Sequence, residues 1–302
     1  MYRGSVEDFL TSEYADAVRG EVQLLFTSPP FPLNRKKQYG NLVGDEYLEW
    51  LGKLAPELGD LLAPDGSLVV ELGNAWEPGE PVMSTLTLKA LLRLQEAGGF
   101  NLCQQFVVHN PARLPSPAQW VNIERCRVKD SYTNVWWMSR IARPKADNRK
   151  ILTGYSPSMK KLLERQSYNA GARPSEHTIS ETSFLTDHGG AIPPNALDFE
   201  SMLRISNTRS NDAYRSYCKE HDLKVHPARM QPELAEFFIR FLTDEGDLVV
   251  DPFGGSNTTG AMAESLDRQW LSIEPNAAYV AGSQGRFSPD SIVGLDPKVV
   301  AT

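Results

Sequence analysis

The sequence predicts an α/β protein with a mostly parallel sheet. Short apolar runs at 22–26, 67–72, 102–108, 132–141, 247–250 and 270–273 have the length of buried strands. Stretches with apolar residues at helical spacing alternate with them, as βαβα units require. Gly, Pro and Asn cluster at most of the junctions.

The first element expected is a helix over 6–18 that leads into the strand at 22–26. That strand runs into Thr27-Ser28-Pro29-Pro30-Phe31. Two consecutive prolines stop the strand and stiffen the turn, because each fixes φ and lacks an N–H. A serine hydroxyl, prolyl carbonyls and an aromatic ring therefore share a rigid loop at the carboxyl end of a strand. Open α/β sheets bind ligands at that end, and this set suits a planar base that carries an amino group. Residues 32–40 are polar and basic and include Arg35, Lys36 and Lys37, which suits a lip over a site.

Over 46–62, Tyr47, Leu48, Leu51, Leu54, Leu58, Leu61 and Leu62 fall at helical spacing. Pro64-Asp65-Gly66 reads as a turn, and the strand at 67–72 ends in Gly73-Asn74. A helix over 85–97 stops at Gly98-Gly99, and a strand follows at 102–108. Prolines at 111, 115 and 117 break up 110–119 before the strand at 132–141.

Residues 142–221 show little periodicity beyond one short helix at 158–166. So long a loop-rich stretch inside a domain is usually functional or disordered, and we read it as an insertion that contacts a large ligand. The chain then divides into 1–141, the insertion 142–221, and 222–302. Net charge is −7, yet 125–173 holds twelve Lys/Arg and three Asp/Glu, a local +9 that leaves −16 elsewhere. A basic segment on an acidic body can meet phosphates while the body limits non-specific binding. A solvated charged face is the plainer alternative.

The late segment repeats the strand–turn logic. A helix over 233–242 precedes a strand at 247–250 that enters Asp251-Pro252-Phe253-Gly254-Gly255-Ser256-Asn257-Thr258-Thr259-Gly260. A helix over 259–266 and a strand at 270–273 ending in Glu274 complete it. Glycines let a ligand approach the backbone, and an acid at the next strand end can accept ribose hydroxyls. No Lys follows the glycines, so this is not a P-loop. Asp251 beside the turn suits a cationic cofactor, and S-adenosylmethionine carries a sulfonium, an amino group and a ribose. Alone, the turn could equally be structural. Methyl transfer to an exocyclic amine would need mainly acceptors for the amino hydrogens (Ser28 Oγ and the Pro29 carbonyl), stacking by Phe31, and alignment for in-line displacement. A base inside a duplex must be flipped out to reach such a pocket.

These two motifs resemble motifs IV and I of the amino-group DNA methyltransferases, in the catalytic-motif-first order of the β class. Further strings resemble the PvuII-type N4-cytosine branch: Asn110-Pro-Ala-Arg-Leu-Pro-Ser-Pro-Ala, Arg127-Val-Lys-Asp, Gly189-Gly-Ala-Ile-Pro-Pro-Asn, Ser210-Asn-Asp-Ala-Tyr and His226-Pro-Ala-Arg. The resemblance implies a Rossmann-like, seven-stranded mixed sheet with a target-recognition insertion and S-adenosylmethionine as cofactor. It implies a catalytic pocket of Ser28, Pro29, Pro30 and Phe31. Cofactor contacts would come from Asp251, Phe253, Gly254, Gly255, Ser256 and Glu274, with His226 and Pro227 closing over the methionine end. Gly73 and Asn74 would lie beside cofactor and target base. Asn257 stands where many relatives have Gly, Gly4-Ser5 replaces a frequent Gly-Asp, and Met230-Gln231 replaces Phe-Pro.

The partner implied is double-stranded DNA, and CAGCTG is the site expected if specificity travels with the resemblance. Phosphate or base contacts are expected from Arg127, Lys129, Arg149, Lys150, Arg173 and His177. Ser28 before Pro-Pro favours cytosine N4 over adenine N6, where Asn or Asp is commoner. A DNA-binding relative that has lost catalysis is a further alternative. Cytosine-C5 chemistry would need a cysteine nucleophile, and Cys103, the nearest, sits in an apolar strand. Three widely spaced cysteines read as free thiols with no metal-ligand spacing. No apolar run approaches membrane-span length and no signal-type segment is evident, so a cytoplasmic monomer without a metal is expected. Trp120, Trp136 and Trp137 could stack on bases, and at least one of Trp136 and Trp137, which lie in an expected strand, reads as core.

Overall fold

The chain begins with a two-residue strand, β1 (Tyr2–Arg3), and two short helices, α1 (Val6–Leu10) and α2 (Glu13–Val18). One helix was expected over 6–18. It breaks because Ser12 turns its hydroxyl onto the Phe9 carbonyl at 2.6 Å while Ser5 and Asp8 close a capping box on α1. The architecture comes from a computed structural model that describes residues 1–31, 42–111, 113–169, 171–172, 174, 178–180, 184–198 and 213–288.

All six residues of β2 (Val22–Thr27) are buried, which places this strand inside a parallel sheet covered on both faces. Helix α3 (Gly44–Leu61) leads into β3 (Leu62–Leu72). Pro64-Asp65-Gly66 does not end a loop before the strand. It lies within β3, where the register against β2 jumps from Val22↔Leu62 to Leu24↔Ser67. Helix α4 (Leu86–Gly98) stops at Gly99, which adopts φ 68°. Next come β4 (Asn101–His109), a π-helical turn (Gln119–Ile123), β5 (Tyr132–Ser139) and α5 (Pro157–Arg165). The two-residue strands β6 (Gly171–Ala172), β7 (Thr178–Ile179) and β8 (Ala196–Leu197) follow. The chain closes with α6 (Ala213–Glu220), α7 (Pro232–Leu242), β9 (Leu248–Asp251), α8 (Thr258–Ser265), β10 (Gln269–Glu274) and α9 (Ala277–Ser283).

The main sheet has the order β1-β10-β9-β2-β3-β5-β4-β8. Pairing is parallel from β1 to β3, β5 is antiparallel to both its neighbours, and β8 is parallel to β4. The sheet has eight strands against the seven implied by the resemblance; the six apolar runs form its middle, and the two-residue strands β1 and β8 finish its edges. Their brevity hid them from periodicity. Trp136 and Trp137 are both buried, and Trp137 Nε1 donates to Ser67 Oγ at 2.9 Å.

The chain forms two compact units, 147–194 and the remainder. The smaller holds α5, the β6–β7 pair and a bridge between Thr153 and Ala191. Among its described residues only Gly190 is buried, so those residues form no apolar core. Among the described residues no helix is long and apolar enough to cross a membrane.

Candidate active site

In the centre of the sheet, β2 and β9 are parallel neighbours with Leu25 opposite Val250. Their carboxyl ends therefore open on the same place, although 224 residues separate Thr27 from Asp251. Thr27 Oγ1 donates to Asp251 Oδ1 at 2.8 Å and ties the two turns together. A cleft of about 450 Å³ lies between them.

The early turn forms one wall, with Ser28, Pro29, Pro30 and Phe31 all lining the cleft. The Phe31 ring rests on Gly73: a Cβ there would come within 2.5 Å of the ring, so only glycine permits this seat. Behind Ser28 stands Glu71 from the end of β3. Its carboxylate accepts a hydrogen bond from Thr133 Oγ1 at 3.1 Å, and the Ser28 hydroxyl beside it also favours its charged form. Burial pushes the Glu71 carboxyl above the usual range, and those two hydroxyls and the Arg113 charge oppose the rise. Arg113 is itself held by Asp130 Oδ2 at 3.2 Å and by the Tyr132 carbonyl at 2.8 Å.

The late turn forms the other wall, with Asp251, Phe253, Gly254, Gly255, Ser256 and Glu274 on the cleft. Asp251 is buried. Besides Thr27 it receives Thr259 Oγ1 on Oδ2 at 2.7 Å and the Phe253 N–H on Oδ1 at 3.0 Å. Glu274 accepts the N–H of Gly255 at 3.0 Å and of Asn276 at 2.8 Å. Burial raises both carboxyls. Gly255 adopts φ 52°, and a Cβ there would press on the His226 ring at 3.2 Å. Asn257 takes φ 57°, ψ 43° and anchors itself through Ser272 Oγ at 2.6 Å, so the left-handed turn survives without glycine.

His226 and Pro227 line the same cleft. The His226 backbone N–H donates to Tyr214 Oη at 3.0 Å, and its ring meets Tyr279 edge-on at 4.5 Å. Burial lowers the imidazole pKa, and Arg229 and Arg286 add to that. His226 is therefore neutral near pH 7, with Nδ1 buried and unpartnered among the described residues.

Twelve of the expected residues thus meet around one cleft. Gly73 and Asn74 stand behind its lining: Gly73 seats Phe31, and Asn74 bridges Asp130 at 2.9 Å and Asn134 at 3.0 Å. The basic candidates scatter. Arg127 is stacked over Trp76 at 3.6 Å and donates to the Pro81 carbonyl, while Lys129 donates to the Pro111 carbonyl. Arg149, in the smaller unit, forms a bidentate pair with Asp147 that holds that carboxyl down to about 2. Lys150 is exposed in the same unit. Arg35, Lys36, Lys37, Arg173 and His177 lie outside the described residues. Cys103 is on β4, away from the cleft lining, with its thiol pushed up by burial. Among the described residues no group of His, Cys, Asp or Glu is placed to hold a metal.

Glu71, Arg113, Thr133 and Tyr279 also line the cleft and escaped sequence reasoning. An acid inside the apolar run at 67–72 was the one available signal.

A family model for N6/N4 DNA methylases matches residues 22–284. The Type II methyltransferase M.PvuII of Proteus hauseri is 47% identical over 294 residues, covering 97% of this chain and 84% of that protein. M2.DpnII of Streptococcus pneumoniae is 35% identical over 66 residues, 22% of this chain and 25% of its own. The solved PvuII DNA methyltransferase, described as cytosine-N4-specific, superposes with TM-score 0.73 at 40% identity, covering 97% of this chain and 87% of that one. M1.HpyAVI in complex with S-adenosylmethionine shares the fold, with TM-score 0.53 at 18% identity over 94% of this chain and 97% of that one.

Proposed function

The chain belongs to the N6/N4 DNA methylase family, and from that premise we propose that it moves a methyl group from S-adenosylmethionine to the exocyclic N4 of a flipped-out cytosine in duplex DNA. The observation that carries the proposal is a single cleft with Ser28 and Glu71 together on one wall and an acid-flanked glycine turn on the other.

The cleft fits the cofactor. Gly255 leaves open the space a Cβ would fill beside His226. Each oxygen of Glu274 keeps a lone pair beyond its backbone donor for ribose hydroxyls. Neutral His226 adds no charge against a sulfonium. Bound there, S-adenosylmethionine supplies an electrophilic methyl group.

Ser28 Oγ and the Pro29 carbonyl accept the two amino hydrogens, which turns the nitrogen lone pair toward the methyl. Phe31, fixed on Gly73, holds the base plane. Because Ser28 spends its own proton on Glu71, its lone pairs face the amine. As the N–C bond forms and the S–C bond breaks, the amine becomes cationic. Its proton passes to Ser28 Oγ while the Ser28 proton passes to Glu71. A carboxylate whose pKa is raised by burial is a better acceptor for that proton.

The proposal extends to CAGCTG as the site, to a role in a restriction-modification system, to 142–221 as the segment that reads the target, and to a monomer acting in the cytoplasm. It is supported by likeness to a cytosine-N4-specific enzyme along 97% of the chain. The test is incubation with methyl-labelled cofactor and duplex DNA, followed by nucleoside analysis and mapping of the modified site. N4-methylcytosine within CAGCTG is expected. N6-methyladenine, or no transfer, rejects the assignment. DNA affinity is also expected to fall steeply with salt.

A further inference from the structure

Three large apolar side chains stand in solvent on the one loop that joins β4 to β5. Leu114 is 81% exposed, Ile123 69% and Val128 88%. This loop is not loose at its base. The Asn110 N–H donates to the Ser131 carbonyl at 2.7 Å, and Lys129 Nζ donates to the Pro111 carbonyl at 2.6 Å. The Arg113–Asp130 ion pair crosses the neck, and Asn74 clamps Asp130 from the sheet. The far end folds back on itself, with the N–H groups of Cys126 and Arg127 both on the Trp120 carbonyl. Such a built loop could have turned its apolar residues inward, yet it holds them out.

Its position gives the reason. Asn110, Arg113 and Tyr132 at the neck line the cleft. Leu114 is the residue after Arg113, and Val128 lies two before Asp130, so both sit just past the ion pair at the neck whose Asn110 and Arg113 line the cleft. Of the loop's cations outside the neck ion pair, Arg127 is stacked on Trp76 and Lys129 is tied to the Pro111 carbonyl, which leaves exposed Arg125 as the cation nearest the exposed apolar residues. Proteins that open a duplex combine phosphate-seeking cations with apolar side chains that enter the base stack. A base bound for the Ser28 wall must leave its stack, and the vacated space needs an occupant.

We propose that the β4–β5 loop is an apolar wedge that enters the duplex beside the target base and keeps the base pair open, with Leu114 and Val128 in contact with the neighbouring bases. This rests on the methyltransferase reading above. The wedge acts only on a paired target, because an unpaired base has no pair to hold open.

The test uses two duplexes that differ at one position. One carries the site methylated by the wild-type protein, fully paired. The other has an abasic residue opposite the target cytosine. Single-turnover methylation by the Leu114→Ala/Val128→Ala variant is expected to fall about tenfold or more on the paired duplex and to stay within about twofold of wild type on the abasic one. The bulk-conserving Leu114→Met/Val128→Ile variant is expected to keep the wild-type rate on both. Equal loss on both duplexes, no loss on the paired duplex, or loss in the bulk-conserving variant would overturn the wedge. A wild-type protein that methylates neither duplex would instead reject the reading on which the wedge depends.

Discussion

The two turns at the centre of the sheet look alike in sequence, each a strand running into a proline-containing loop, but they spend their acids differently. On the late side, Asp251 gives its oxygens to Thr27, Thr259 and the Phe253 N–H. Two of those donors, Thr259 and the Phe253 N–H, come from its own turn and the helix after it, and the third ties it to the early strand. On the early side, Glu71 takes Thr133 from the neighbouring strand and has Ser28 of the proline turn beside it, both on the cleft lining. A carboxylate held by three donors holds geometry, and one beside a wall hydroxyl can move a proton. On the proposed reading, the late wall is thus built for shape and the early wall for chemistry.

The sharpest way to break this contrast is Asp251→Ala. Three buried donors would lose their acceptor, at a cost of about 3 kcal/mol of folding stability, and the two turns would lose their link. Cofactor binding is expected to vanish in calorimetry, with a lower midpoint in urea. Unchanged affinity would show that the carboxylate does not shape the cofactor wall.

Glu71→Gln probes the other side. Methyl transfer should fall about 100-fold, the scale of lost acid–base assistance, with cofactor affinity unchanged. The same substitution has a stability signature. Glu71 holds its proton in the folded state to a higher pH than in the unfolded chain. The folded state therefore binds more protons in the window above the ordinary carboxylate range, and stability falls as pH rises through it. Glu71→Gln removes this group's part of that fall, so the melting temperature near neutral pH should rise relative to wild type. Activity needs the ionised form, so the wild-type rate should climb through the same raised pKa, and the variant should lose that limb in a pH–rate profile.

Smaller effects separate scaffold cations from DNA-facing ones. Arg127→Ala removes the stack on Trp76 and should cost about 1 kcal/mol of stability with little change in the salt dependence of DNA binding. Arg125→Ala, at an exposed loop position, should reduce the salt slope by about 1 and leave stability unchanged. The reverse pattern would exchange their roles.

Much of this was legible in the residues. Apolar runs located β2, β9 and β10, and the two turns announced themselves by Pro-Pro and Gly-Gly. Glu71 was hidden because a lone acid in an apolar run carries no periodic signal, and its meaning depends on Ser28, a partner that only the β2–β3 pairing supplies. The charge count over 125–173 suggested a basic face, but Arg127 is stacked on an indole and Arg149 is cancelled by Asp147. Summed charge carries no record of such local partners. Asn74 was expected beside the ligand; the structure shows it bridging Asp130 and Asn134 behind the cleft lining.

The central claim is that Ser28 and Glu71 act as one unit on the amino group. The most direct measurement is the single-turnover methylation rate of the Ser28→Ala/Glu71→Gln double variant beside the two single variants, at saturating cofactor. Coupled groups give losses that do not add. The account predicts a double variant no slower than the slower single one. Losses that multiply would mean that the two residues contribute independently and would contradict the relay.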